Sequence, residues 1–283
     1  GICQAVVINS GIANVCTGRQ GIIDANEITM SVAKELNIKD ALVIPSSTGV
    51  IGSFLTSHIK KIKKAIPGLV KHLSENGIND ASEAIMTTDA FSKTSSKKIK
   101  IDGRQTAITA IGKGAGMISP NMATMLCFAI TDIALDKKAQ ERLLQSSVNS
   151  SFNKITVDGD TSTNDTVLVL SNGFLGNKPI KFNGRNYKKV EAVLTEALSE
   201  IAYKIVEDGE GATKVARINV KGTRTIKDAD KIAHTIGTST LVKTAIYGQD
   251  PNWGRILAAA GRAGVKFNPD KADLYIGNYQ LCK

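Results

Sequence analysis

The chain has few aromatic residues and no long apolar run. Its 283 residues include a single Trp, and aromatic residues make up 5% of the total. The core must therefore be built mainly from Ile, Val, Leu and Ala. No apolar run approaches the ~20 residues that a membrane-spanning helix requires, so the sequence predicts no membrane association.

Cysteine and histidine are also scarce. No Cys-x-x-Cys pair exists among the four cysteines, and the three histidines do not lie at zinc-ligand spacing from them. We therefore predict no metal site and free thiols in a reducing compartment. The first residues show no basic segment followed by an apolar one, as a signal peptide would, which favours a cytoplasmic location. Cys127 lies within an apolar run and is predicted to be in the core.

Positive charge is abundant, with a net charge of +10. The lysines occur in short clusters that are typical of solvated faces. Aromatic residues that could stack on bases are not interleaved among them, so we predict no nucleic-acid partner. The charge favours solubility and mild steering of anionic metabolites.

Periodicity predicts mixed strands and helices, and hence an α+β fold rather than an alternating parallel one. Asp102-Gly103 between two alternating runs predicts a β-hairpin from residues 98–101 to 106–111. Further strands are predicted over 5–8, 41–44, 124–130, 215–220 and 274–281. Helices are predicted over 27–36 with Asn26 as its cap, 54–66, from Asp136 to Leu144, 190–206 and 253–260.

The stretch from Gly112 to Leu126 is the most informative part of the chain. It sets a glycine-rich loop against Thr124, which begins an apolar run. A threonine hydroxyl becomes a useful nucleophile when a base lies beside it, and cutting the chain before the threonine supplies its own α-amine as that base. The α-amine has an ordinary pKa of about 7.7–8.0, so a useful fraction is unprotonated near neutrality. From the residues alone, a turn followed by a buried strand remains the alternative.

The sequence of this stretch closely resembles the self-cleavage segment of the ornithine acetyltransferase (bifunctional glutamate N-acetyltransferase) family. The residues that carry the resemblance are Lys113-Gly-Ala-Gly-Met-Ile118 and Pro120-Asn-Met-Ala-Thr-Met-Leu126. The resemblance implies cleavage between Ala123 and Thr124. It divides the chain into an alpha segment, 1–123, and a beta segment, 124–283, of one folded unit. The implied fold is a layered sandwich of two β-sheets flanked by helices. Family members continue further on both sides, so both ends are expected to be truncated.

The same resemblance assigns further site residues. It implies that Thr48 and Gly49 form an oxyanion hole, although a simple turn between strand and helix is the alternative. Thr87, Lys113 and Glu210 would bind substrate with Thr124. From the residues alone, Lys113 could be a solvated loop lysine and Thr87 a helix-capping residue. Two more matching stretches, Asn9–Asn14 and Asp250–Ile256, are expected near the site without assigned roles.

The implied activity is acetyl transfer from N2-acetylornithine to Thr124 and then to glutamate, in arginine biosynthesis. It requires no metal or bound cofactor, and some family members also accept acetyl-CoA as a co-substrate. The implied assembly is a hetero-oligomer of the alpha and beta segments. Two alternatives remain at this point: a self-processing aminopeptidase of related architecture, and a non-catalytic fragment that lacks part of the substrate pocket.

Overall fold

The computed structural model describes residues 1–119 and 125–282. The predicted cleavage residues Ala123 and Thr124, and with them the boundary between segments 1–123 and 124–283, lie outside the described residues. Within those two ranges the helices are α1 (Gly18–Leu36), α2 (Ile59–Lys71), α3 (Ile78–Ala84), α4 (Lys137–Ser150), α5 (Tyr187–Glu207), α6 (Ile226–Gly237), α7 (Thr240–Tyr247) and α8 (Trp253–Gly261). None of these is long and apolar enough to cross a membrane.

The strands of the described residues form three sheets. They are β1 (Ala5–Ile12), β2 (Val43–Val50), β3 (Lys93–Ile101), β4 (Arg104–Lys113), β5 (Leu126–Thr131), β6 (Thr166–Ser171), β7 (Leu274–Ile276) and β8 (Tyr279–Cys282). The largest sheet has the order β3-β4-β5-β6, in which β5 and β6 are parallel and the other pairs antiparallel. Strands β1 and β2 form a parallel pair, and β7 and β8 an antiparallel hairpin.

The β3–β6 sheet is apolar on both faces because its strands alternate between two cores. Ile111, Leu126 and Phe128 face one core, against which Val6 and Ile8 of β1 pack. Their neighbours along the strands face the other core, formed with α4 and α5 by residues that include Ile108, Ala110, Cys127, Ala129, Leu143 and Leu198. Helices α1 and α2 pack on the outer face of β1 and β2. The order of layers is therefore helix, sheet, sheet, helix.

The C-terminal part has a smaller core of its own. Helices α6, α7 and α8 enclose Ile232, Ile236, Val242 and Ala259. The part is joined to the main body by Lys154, whose ammonium lies 2.5 Å from the carboxylate of Asp230.

Locally encoded elements agree with the sequence predictions. The predicted hairpin joins β3 to β4, and Asp102 and Gly103 at its turn have φ of 46° and 87°, as a type I′ turn requires. Asp136 caps α4 by accepting a hydrogen bond from the amide of Ala139. Helix α5 spans the predicted range, and Cys127 is fully buried. All four cysteines are free thiols.

Several predicted boundaries were wrong. Helix α1 begins at Gly18, so Asn26 lies inside it and is not its cap. The sequence reading missed its first turns because the inward stripe contains Gly21 and the polar Asp24, whose carboxylate is bonded to Gln20 and Thr56. Strand β2 continues through Pro45, which is tolerated because β2 is an edge strand.

Three further corrections concern element type. A short 3-10 helix spans Leu55–Ser57, and α2 starts at Ile59 and continues through Pro67. Residues 215–220 form no strand, because no other described segment pairs with them. Residues 274–282 form a hairpin rather than one strand, with Gly277 in a left-handed conformation at its turn.

Candidate active site

Lys113 lies at the end of β4 and is almost fully buried, with 2% of its surface exposed. It pairs directly with Leu126, the first residue of β5. Because Leu126 follows Thr124 by two positions in the sequence, the sheet register brings the lysine to the start of the strand that Thr124 leads into.

The Lys113 ammonium joins two other segments. It donates to the hydroxyl of Thr87 at 2.7 Å and to the hydroxyl of Thr48 at 3.0 Å. Thr48 belongs to β2 in the two-stranded β1–β2 sheet, and Thr87 follows α3. Since each hydroxyl uses only a lone pair to accept from the lysine, its own proton remains free to be donated. Three predicted site residues, from distant parts of the chain, are therefore in direct contact.

Gly49 is required by its surroundings in β2. Its φ is +132°, and a Cβ there would lie 2.2 Å from the carbonyl carbon of Gly11 in β1. Backbone so close to a neighbouring strand, in a conformation that L side chains rarely adopt, excludes every residue with a side chain. The backbone beside Thr48 is therefore held in one position.

Glu210 lies against the glycine loop. Its amide donates to the carbonyl of Ala115 at 3.0 Å, and a Cβ on Gly116 would lie 2.9 Å from its carboxyl group. Gly116 therefore leaves room for this carboxylate. Unlike Lys113, the Glu210 side chain is exposed to solvent, so the two predicted substrate contacts differ in their access to water.

The pKa of Lys113 is lowered from its ordinary value. Burial is the largest cause, because it disfavours the charged ammonium. The negative charge of Asp89, whose carboxylate is 3.9 Å away, partly offsets it. Lys93 lowers the pKa further, and the charge of Glu210 raises it.

Asp89 connects these elements, although the sequence reading did not single it out. Its carboxylate accepts from the Lys93 ammonium at 2.7 Å, from the Gly114 amide at 2.7 Å and from the Thr87 amide at 3.0 Å. Burial alone would raise the pKa of Asp89, but these hydrogen bonds, first that of Lys93, bring the pKa below its ordinary value. Asp89 is therefore an anion that fixes the backbone at Gly114, next to Lys113, and at Thr87, whose hydroxyl binds the lysine.

Asp208 completes this buried group at the C-terminal end of α5. Its carboxylate lies 2.6 Å from the Lys93 ammonium and accepts from the amide of Ala90 at 3.0 Å. Carboxylates are unfavourable at a helix C-terminus, and the buried cation explains why this one is retained. The acids clustered at the end of α5, Glu207, Asp208 and Glu210, are the feature of the sequence that could have indicated this contact.

The polar stretch 157–166 holds both sides of the segment that contains Thr124. The Asp158 carboxylate accepts from the amides of Met117 at 2.5 Å and Ile118 at 2.9 Å. The Asp165 carboxylate accepts from the amide of Met125 at 3.0 Å. This stretch was assigned no role in the sequence analysis.

The two stretches without assigned roles lie in different places. Asn9–Asn14 contacts the site. The Asn9 side chain accepts from the hydroxyl of Ser47 at 2.7 Å, and Gly11 is the partner of Gly49 in the adjacent strand. In Asp250–Ile256, Asn252 caps α8 and Arg255 donates to Leu241 and Thr244 in α7. Among the described residues, no hydrogen bond joins that second stretch to the Lys113 group.

Within residues 1–119 and 125–282, no group of three or more His, Cys, Asp or Glu side chains is placed to hold a metal ion. The ionisable groups that converge here are the ammonium groups of Lys93 and Lys113 and the carboxylates of Asp89 and Asp208. Such a group suits recognition of an amino acid by its charges.

Comparison with known proteins shows the family to which this chain belongs. The pattern of the ArgJ family matches residues 1–283. The chain belongs to the ArgJ family. The resemblance seen in the sequence is therefore confirmed.

Curated relatives of the ArgJ family cover almost all of this chain. The arginine biosynthesis bifunctional protein ArgJ of Thermotoga neapolitana is 49% identical over 272 residues, which are 96% of this chain and 68% of the relative. The protein of the same name from Symbiobacterium thermophilum is 47% identical over 283 residues, 100% of this chain and 70% of the relative.

A solved ArgJ structure supports the fold. The crystal structure of arginine biosynthesis bifunctional protein ArgJ from Bacillus halodurans matches with a TM-score of 0.53 at 40% identity, covering 54% of this chain and 72% of that one. Together with the order of layers, this confirms the predicted α+β sandwich.

Proposed function

We propose that the chain moves an acetyl group from N2-acetylornithine to glutamate through an ester on Thr124. As a member of the ArgJ family, it is an acetyltransferase of arginine biosynthesis. The observation that carries the proposal for the site is the contact of the Lys113 ammonium with the hydroxyls of Thr48 and Thr87. It joins the proposed oxyanion donors to the proposed substrate contacts, at the start of the strand that Thr124 leads into.

The proposed first step is self-cleavage. The Thr124 hydroxyl attacks the carbonyl carbon of Ala123, its proton passes to the nitrogen as the peptide C–N bond breaks, and the acyl group is left on the oxygen as an ester. Water then hydrolyses this ester, which divides the chain into segments 1–123 and 124–283. The product carries a free α-amine on Thr124, which is the base for the same hydroxyl.

The transfer then takes place in two acyl exchanges. The α-amine takes the hydroxyl proton as the Thr124 oxygen attacks the acetyl carbonyl, and Thr48 and Gly49 stabilise the resulting oxyanion. The tetrahedral intermediate collapses, the proton passes to the leaving amine, and ornithine departs. The amine of glutamate attacks the acetyl ester in the reverse sequence. One amide replaces another, so no external energy source is needed.

Substrate recognition is proposed to use the charges on the two sides of the glycine loop. The Lys113 ammonium, with the Thr87 hydroxyl, would bind a substrate carboxylate. The exposed Glu210 carboxylate would bind the side-chain ammonium of ornithine. A charge-assisted hydrogen bond is stronger than a hydrogen bond between two neutral groups. These contacts therefore favour charged amino acids over neutral ones as substrates.

The family resemblance also supports proposals that extend beyond the site. The alpha and beta segments would remain together as a hetero-oligomer in the cytoplasm. Catalysis would use no bound cofactor, with acetyl-CoA as a further donor. Assaying the purified protein with acetyl-CoA in place of N2-acetylornithine measures that last activity directly.

Replacing Thr124 by Ala tests both roles of this residue. We expect a single uncut species near 30.0 kDa and no acetyl transfer, since both steps need the same hydroxyl. Thr124→Ser is the matched control, because it keeps a hydroxyl and is expected to be cut. Mass spectrometry of the purified variants gives the answer. Two pieces from Thr124→Ala would mean that another protease does the cutting.

Glutamate dependence distinguishes a transferase from a hydrolase. We expect ornithine release from N2-acetylornithine to accelerate when glutamate is added, with N-acetylglutamate as the product. Acetate released at an equal rate with and without glutamate would contradict the proposed acceptor and favour a hydrolase.

A further inference from the structure

Asp165 binds the backbone of the residue that follows the proposed nucleophile. Its Oδ1 accepts from the amide of Met125 at 3.0 Å, and Met125 is the residue that follows Thr124. The mechanism above uses no carboxylate at this position, and the function does not explain the polar stretch in which Asp165 lies.

The other carboxylate oxygen is unusual. Asp165 Oδ2 is buried and has no hydrogen-bond partner among residues 1–119 and 125–282. Burial raises the pKa of this carboxyl to about 7, although the hydrogen bond from Met125 acts in the opposite direction. A buried carboxylate without a second donor costs free energy, so a cation or an N–H group is expected next to it.

Covalent geometry limits where that donor can be. The nitrogen of Thr124 and that of Met125 are separated by only three backbone bonds and so lie within about 4 Å of each other. The Met125 amide that Asp165 binds is therefore only one residue away from the nitrogen that becomes the new N-terminus. After cleavage, the Thr124 nitrogen changes from an amide to an amine that can carry a positive charge.

We propose that Asp165 is a positioning residue that holds the α-ammonium of Thr124 in the cut enzyme. The inference rests on the proposed function. When the α-amine takes the proton from the Thr124 hydroxyl, an ammonium forms and pairs with the carboxylate. The proton then passes to the departing ornithine amine, and the adjacent ammonium favours the ionised form of Asp165. The carboxylate keeps the amine facing the hydroxyl and stabilises its charged state.

Asn164, the residue before Asp165, binds the backbone of two other segments. Its side-chain amide donates to the carbonyl of Ala13 at 2.6 Å and to the carbonyl of Ser47 at 2.9 Å. Ser47 precedes Thr48, so adjacent residues of one loop hold the β2 segment and the start of β5. The loop therefore links the β2 segment that precedes Thr48 to the residue that precedes β5.

Asp165→Asn tests the proposal with little change of shape, because Asn keeps an oxygen for the Met125 amide and removes only the charge. We expect the variant to cut itself. We expect its kcat for transfer to fall by about 10- to 100-fold, as for other misplaced reacting groups, with KM within about 2-fold of the wild-type value. Asp160→Asn, which removes an exposed carboxylate from the same stretch, is the matched control and is expected to leave both constants unchanged.

Several results would overturn the assignment while the proposed function stood. They are an unchanged kcat in Asp165→Asn, an equal loss in Asp160→Asn, a fall in kcat matched by a rise in KM, or a folded Asp165→Asn protein that stays uncut. That last result would give the carboxylate a role before any ammonium exists. If the wild-type protein itself neither cuts nor transfers, the proposed function fails instead.

A crystal structure of the cut wild-type enzyme gives a second test that does not depend on folding of the variant. We expect the Thr124 nitrogen within about 3.2 Å of Asp165 Oδ2, the upper range of an N–H···O bond. A nitrogen turned away from this carboxylate and paired with another group would contradict the proposal.

Discussion

At the residue scale, burying the ammonium of Lys113 costs free energy. An ammonium loses its hydration when it is buried, and the lowered pKa of Lys113 reflects that loss. The hydroxyls of Thr48 and Thr87 compensate it through hydrogen bonds, and the nearest carboxylate is 3.9 Å away. The cation is thus solvated without being fully neutralised, and it retains capacity for an anionic ligand.

Lys113→Met tests this role, since Met keeps an unbranched apolar chain and removes the charge. We expect kcat/KM for N2-acetylornithine to fall by about 30-fold or more, because removing one partner of a buried ion pair costs about 2–5 kcal/mol. Steady-state kinetics measures the change. Lys98→Met, on an exposed position of β3, is the control. Equal losses in both variants would mean that the effect of Lys113 is not specific.

At the element scale, two groups of ion pairs, one buried and one nearer the surface, connect α5 to β3. Lys93 of β3 is fully buried between Asp89 and Asp208, the latter at the end of α5. Nearer the surface, Glu200 of α5 accepts from Lys204 and from Lys97 and Ser95 of β3. The Lys93 group contacts the Lys113 site through Asp89, whereas the Glu200 group lies nearer the surface. The two groups are therefore expected to respond differently to mutation.

Lys93→Met is expected to destabilise the fold by about 3–5 kcal/mol, because it leaves two buried carboxylates without their shared cation. Urea unfolding measures the loss. Adding Asp208→Asn removes one of those charges, so the double variant should lose less than the sum of the single losses. Strict additivity would contradict a direct interaction between the two side chains.

Glu200→Gln tests the outer group through its pH dependence. Hydrogen bonds from Lys204 and Lys97 lower the pKa of Glu200 from 4.5 to about 2 in the folded protein. Its contribution to stability is therefore present above about pH 4.5 and is lost as the pH falls through about 2.

We expect Glu200→Gln to lower the free energy of unfolding by about 1 kcal/mol at pH 7. The difference from wild type should shrink as the pH is lowered from 4.5 towards 2. Glu196→Gln, whose side chain is 63% exposed, should have a smaller effect. A difference that does not change with pH would mean that Glu200 acts through packing and not through its charge.

At the scale of the whole molecule, the site spans two sheets. Thr48 belongs to β2 and Lys113 to β4, and the core between these sheets is formed by Val6 and Ile8 against Ile111 and Phe128. Packing of the sheets therefore determines whether the hydroxyl reaches the ammonium. Relative rigidity of the two layers is a condition for the chemistry.

Elements encoded by neighbouring residues could be predicted from the sequence. The β3–β4 hairpin follows from Asp102-Gly103, and α5 follows from a continuous apolar stripe. Predictions were wrong where distant contacts decide the outcome: the start of α1 depends on a buried Asp24 whose partner Thr56 lies in another segment.

The same distinction holds for the site. Thr48, Thr87 and Lys113 were predicted because their motifs resemble a family, and the fold brings them into contact. Asp89 and Asp165 were not predicted, since each acts through backbone amides of sequence-distant residues. An isolated acidic residue in the sequence gives no sign of which amide it will bind.

The most direct measurement is of the covalent intermediate. Freshly purified protein is mixed with N2-acetylornithine in the absence of glutamate, quenched in acid and analysed by mass spectrometry of the peptide that begins at Thr124. Our account predicts one acetyl group on that peptide, removed by hydroxylamine as an ester is and discharged when glutamate is added before the quench. An intact Ala123–Thr124 bond, or a cut chain that never carries a hydroxylamine-sensitive acetyl group on Thr124, would contradict it.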